Sequence, residues 1–108
     1  MCSYNTLKSS ADGYVVQCRR CDHIQVGFGT TVVSFTITQF QDFIMVVEEH
    51  FLHYRHTAAP DHKLITIPTA AKSVAMVFTL NELAKLRMLL ADGQQQLAYN
   101  QLLQLCEN

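Results

Sequence analysis

Two stretches constrain what this chain can fold into: Phe35-Thr36-Ile37-Thr38-Gln39-Phe40 and, 43 positions later, Phe78-Thr79-Leu80-Asn81-Glu82-Leu83. They place Phe on Phe, Thr on Thr, Leu on Ile, Glu on Gln and Leu on Phe. Each follows a β-branched run, Val32-Val33 in one case and Val74 to Val77 in the other, and each opens a stretch of helical apolar spacing. Thr followed three residues later by Gln or Glu is the signature of a capping box. In it the Thr oxygen accepts from the N3 amide while the longer side chain reaches back to the Thr amide. Each stretch therefore reads as a strand-to-helix hinge, and the echo predicts two copies of one strand-strand-helix unit.

The remaining strands follow from alternation and turn residues. A short strand is expected over residues 2–8, then a turn ending in Asp12-Gly13, then a strand from Tyr14 to Cys18. If these two form a hairpin, partner numbers sum to roughly 22, which places Cys2 opposite Arg20. Ile24, Val26 and Phe28 alternate with Gln25 and Gly27, the period of a half-buried strand. A turn at Gly29-Thr30-Thr31 leads to a strand from Val32 to Phe35. Later strands are expected at Leu64–Ile67 and Ser73–Phe78, with Pro68 favouring an edge or strand-end position.

The first helix is expected from Ile37 to His56, with Phe40, Phe43, Ile44, Val47, Phe51 and Tyr54 forming its core stripe. The loop containing Ala59-Pro60-Asp61 follows it. A second helix from Leu80 to Ala91 turns Leu80, Leu83, Leu86 and Leu90 inward and ends at Gly93 in a left-handed cap. A C-terminal helix over 94–106 then carries Ala98, Tyr99, Leu102, Leu105 and Cys106 on one side. The class is α+β: two strand-strand-helix units, 14–56 and 63–92, forming one antiparallel sheet of four to six strands with helices on one face. At 108 residues the chain reads as a single domain, 1–108.

Composition narrows the functional classes. A formal net charge of −1, with Lys and Arg scattered apart from Arg19-Arg20, argues against a nucleic-acid binder that works by neutralising phosphates. No apolar run reaches the length of a membrane span, and the first residues have neither a basic nor an apolar leader segment. The chain reads as cytoplasmic, and four cysteines in that setting point to thiols, a metal site or a transient redox pair rather than structural bridges. G-x-S-x-G, phosphate-loop, G-x-G-x-x-G and H-E-x-x-H motifs are all absent from the sequence.

Cys18-Arg19-Arg20-Cys21 sits between two strands. A thioredoxin-type pair sets its first thiol at a helix N-terminus; two thiols on a tight turn between strands suit a zinc knuckle instead. Cys2, by the hairpin argument, and His23 are the candidate further ligands of Cys18 and Cys21, with Cys106 another if the last helix returns to that end. Two inert cysteines, or a thiol-based redox sensor or enzyme favoured by the flanking Arg19 and Arg20, are the alternatives. His50, His53 and His56 fan through about 120° around a helix axis, so the three do not converge on one ion, and a last-turn position suits protonated imidazoles near the helix dipole. The echo places Met45 over Met88. Both turn away from their apolar stripes and, with Leu52, form a candidate homodimer interface.

The Cys-x-x-Cys, the strand Ile24-Gln25-Val26-Gly27-Phe28-Gly29 and the helix start at Phe78 to Leu83 resemble a family of short bacterial proteins of unknown function, over residues 14–92. The resemblance implies no activity and carries no site residue. The expectation from the residues is a small non-catalytic interaction or regulatory module.

Overall fold

The computed structural model describes residues 3–57 and 59–107. Its elements in chain order are β1 (Tyr4–Ser9), β2 (Gly13–Cys18), β3 (Ile24–Phe28), β4 (Thr31–Phe35), α1 (Ile37–Tyr54), β5 (Ile65–Pro68), β6 (Ala75–Phe78) and α2 (Leu80–Glu107). The fold is α+β, as the alternation of strand and helix signals requires. The strands divide, however, into a four-stranded antiparallel sheet in the order β1-β2-β3-β4 and a separate two-stranded β5-β6 hairpin. A single sheet is expected from the sequence. Among the described residues no ladder bonds join β4 to the second hairpin, and side chains meet instead: the Phe28 and Phe78 rings lie 6.1 Å apart between centroids.

The meander follows from its turns. Gly29 adopts φ +59° and the turn spans two residues between the paired Phe28 and Thr31, the arrangement of a hairpin turn that places Gly first. At the other hairpin, Tyr4 pairs with Cys18, Asn5 with Gln17 and Thr6 with Val16, the register expected from the sequence. A bulge between Thr6 and Lys8 then shifts it by one residue, and Leu7 inside the bulge is buried. Cys2 lies outside the described residues.

Both expected capping boxes are present. The Thr36 amide donates to Gln39 Oε1 at 3.0 Å and the Gln39 amide to Thr36 Oγ1 at 3.1 Å. Thr79 and Glu82 repeat the exchange at 2.8 and 3.0 Å. Helix α1 buries Phe40, Phe43 and Val47, with Ile44, Phe51 and Tyr54 packed at the margin of the core.

Helix α2 corrects the expected break. It runs unbroken for 28 residues through Gly93, which is buried and helical rather than a left-handed cap. A Cβ at Gly93 would stand 3.0 Å from Val15 Cβ and 3.1 Å from both of its Cγ atoms. Gly93 is therefore small so that α2 can lie close on β2. The helix contacts β1 and β2, while α1 lies against β4 and β5. At 1.5 Å per residue α2 is about 42 Å long, which accounts for the long dimension of a molecule measuring 51 × 27 × 24 Å.

Candidate functional site

The cysteine pair occupies the β2–β3 connection. The Cys18 amide donates to the His23 carbonyl at 2.8 Å, and the Asp22 amide donates back to the Cys18 carbonyl at 3.1 Å. Asp22 takes φ 58°, the left-handed conformation that Asp tolerates better than most residues. This is the tight strand-turn-strand setting expected for Cys18 and Cys21, and it contains no helix N-terminus. Cys18 is buried and Cys21 exposed. The Arg19 amide donates to the Ser3 carbonyl at 2.9 Å, so the β1 pairing continues one step beyond the strand toward this turn.

His23 Nδ1 lies 3.2 Å from the Cys21 carbonyl. A carbonyl only accepts, so in the neutral ring this contact puts the proton on Nδ1 and the lone pair on Nε2. The C-terminal part of α2 does return to this end. Gln101 and Gln104 share a polar cavity of 430 Å³ with Gln17, Arg19 and Asp22. Neither His23 nor Cys106 joins Cys18 and Cys21 in a ligand set, however: among the described residues no three His, Cys, Asp or Glu side chains are grouped to hold a metal ion.

The histidines at the end of α1 have separate local roles. His50 Nδ1 donates to the Val46 carbonyl at 2.8 Å, and the His53 ring stands edge-on to Tyr54 at 4.7 Å. Both contacts lie within α1 and its last turn.

The outward helix faces are organised by a contact that no local sequence signal announces. Arg87 of α2 donates through Nε and a terminal nitrogen to both carboxylate oxygens of Glu48 on α1, at 2.5 and 2.8 Å. Its guanidinium also lies 4.5 Å from the Phe51 ring centroid. The hydrogen bonds from Arg87 lower the Glu48 pKa, and Glu48 raises that of Arg87 in return. The partners are 39 residues apart, beyond the reach of any helical spacing rule. Around this bridge Met45 is 61% exposed, Leu52 48% and Met88 66%. The three side chains singled out from the sequence thus lie at the surface, on both sides of the α1–α2 contact. Farther along α2, Tyr99, Leu102 and Leu105 are also exposed.

A second feature is legible only in three dimensions. An apolar groove of 210 Å³ separates β4 from the β5-β6 hairpin, with α1 beneath. Among the described residues no helix is long and apolar enough to cross a membrane.

Comparison with known proteins agrees with the resemblance drawn from the Cys-x-x-Cys and the strand that follows it. No curated protein and no solved structure matches the chain. The match to a family model extends over residues 1–107, nearly the whole chain, and the protein therefore belongs to DUF6686, a family of unknown function.

Proposed function

We propose that this chain is a small, non-catalytic interaction or regulatory module of the cytoplasm that works as a homodimer through the outward faces of α1 and α2. The observation that carries the reading is the exposure of Met45, Leu52 and Met88 around one bidentate interhelical bridge. Large apolar side chains grouped on one surface favour association, and methionine adapts its shape to a partner. The buried cluster that includes Val47 of α1 and Leu83, Leu86 and Leu90 of α2 holds the two helices together, with the Glu48–Arg87 bridge at its margin, so less freedom is lost on docking.

Sedimentation of the purified protein across the micromolar range tests this reading. A dimer is expected, and Met45→Glu or Met88→Glu should give a folded monomer with a nearly unchanged melting temperature. A wild-type chain that stays monomeric at every concentration overturns it.

A second reading, a zinc knuckle held by Cys18 and Cys21 with Cys2 and His23, is supported by the pairing of Tyr4 with Cys18, and it requires the His23 ring to swing toward the thiols on binding. Thiolate and imidazole ligands suit tetrahedral zinc, and binding free energy would then be folding free energy. Elemental analysis of untagged protein, together with Cys18→Ser, decides it. One zinc per chain and a large fall in melting temperature with chelator are expected. If reduced protein carries no metal, and alkylation instead selects one of the pair well ahead of Cys106, the thiol redox reading takes its place.

A further inference from the structure

The two edges of the four-stranded sheet are treated differently. β1 carries Lys8 and a bulge and is covered by α2, devices that keep an edge from pairing with other chains. β4, Thr-Val-Val-Ser-Phe, has no charge, no proline and no bulge against β3. Its hairpin closes on Phe28 and Thr31, so residues 31, 33 and 35 exchange main-chain bonds with β3. The N–H and C=O groups of Val32 and Ser34 therefore point away from the sheet. Among the described residues nothing pairs with them.

What lies beyond that edge has the form of a missing strand's place. The groove has Val33 and Phe35 on one wall, Ile67 and Met76 on the other, and Phe43 and Val46 of α1 as its floor. Because α1 packs on both β4 and β5, it continues under the gap between them. The packing beside β4 is also incomplete. Ile24 and Val26 of β3 are fully buried, whereas their partners Phe35 and Val33 on β4 are only half-buried. One charge lines the groove, the carboxylate of Asp42, and among the described residues it has no cationic partner.

We infer that this groove is a β-augmentation site, which takes an extended segment of a partner protein as a strand beside β4. The segment carries alternating apolar side chains that seat on Phe43 and Val46, and a basic residue at the Asp42 end. Main-chain bonds to Val32 and Ser34 supply affinity, and the apolar floor selects side chains at every second position. The inference uses an edge distant in kind from the helix face and does not depend on whether the chain dimerises.

The test uses an acetylated, amidated Lys-Val-Thr-Val-Thr-Val-Ser peptide and amide hydrogen exchange followed by NMR on the full chain. At peptide ten times above its Kd, exchange at the Val32 and Ser34 amides should slow about tenfold, with the β1 amides unchanged. Val32→Pro removes one outward donor without touching the β3 ladder and should abolish the slowing at the Ser34 amide, the one that remains to be read, while the melting temperature holds. Asp42→Asn, a surface change that spares the fold, should weaken the peptide about threefold, the scale of an exposed ion pair. The inference is overturned if millimolar peptide leaves exchange unaltered, if protection appears on β1, or if Val32→Pro binds as well as wild type. It is overturned equally if Val32 and Ser34 become protected with rising protein concentration alone, since the occupant is then a second copy.

Discussion

The two hairpin-helix segments, β3-β4-α1 and β5-β6-α2, begin their helices with the same chemistry and use them differently. Phe40 and Leu83 occupy equivalent offsets and are both fully buried, as the shared apolar spacing demands. Ten residues further along the helices the segments diverge in course. α1 has His50 where α2 has Gly93, and α1 stops four residues later at Tyr54 while α2 continues to Glu107. The missing Cβ lets α2 cross β2 at close range. The caps differ too: Thr36–Gln39 is exposed and uncharged, whereas Thr79–Glu82 is half-buried and Glu82 also pairs with Lys63. One local motif therefore serves a shorter helix that packs against β4 and β5 and a longer one that lies on β1 and β2.

The comparison is broken most severely in the core. Phe40→Ala and Leu83→Ala should each cost about 3–4 kcal/mol in urea unfolding, since both leave cavities in one shared cluster. Two separate transitions, with each variant shifting only one, would show that the segments unfold independently. Gly93→Ala comes next. The gain in helix propensity is about 1 kcal/mol, but the new methyl meets three atoms of Val15, a fully buried β-branched side chain that cannot rotate away. Overpacking costs of about 1–3 kcal/mol outweigh that gain, so a net loss of about 1 kcal/mol is expected. A stabilised Gly93→Ala protein would mean that α2 can lift from β2 without penalty.

Smaller effects sharpen the contrast between the caps. Thr79→Ala should destabilise by about 1 kcal/mol and Thr36→Ala by about half as much, because the exposed cap can recruit water in its place. Equal losses on thermal melting would erase the distinction. The smallest effect concerns pH. The hydrogen bond from Lys63, then that from the Thr79 amide, holds the Glu82 pKa below its ordinary value. A depressed carboxylate contributes stability that is full above the unfolded-state pKa and is lost as pH falls through the folded one. Glu82→Gln keeps a cap acceptor without the charge, as Gln39 does. The wild-type protein should therefore exceed this variant by at most about 0.5 kcal/mol near neutrality, an exposed pair being well screened. The difference should vanish under acidic conditions, and a gap that persists there would assign it to packing rather than charge.

Much of the candidate site was legible because its signals are local. The Cys18–Cys21 turn follows from the strands that flank it, and the outward placement of Met45, Leu52 and Met88 follows from helical spacing against a known apolar stripe. The Glu48–Arg87 bridge was not legible, since its partners belong to different helices and nothing local links them. The groove beside β4 escaped for a related reason. Its walls come from two hairpins, and whether hairpins join is decided by the space between them, not by the pattern within either.

The sequence by itself determined where strands alternate and where Thr36 and Thr79 cap their helices, consequences of bonding within a few residues, whereas the Tyr4–Cys18 register also needs the bulge at Leu7. Only the tertiary structure decided that Gly93 lies inside a helix and that the strands of the described residues form two sheets. Glycine ends a helix when its backbone is free to turn left-handed and continues one when a neighbour needs the room of its absent side chain. That neighbour, Val15, is 78 residues away in the chain.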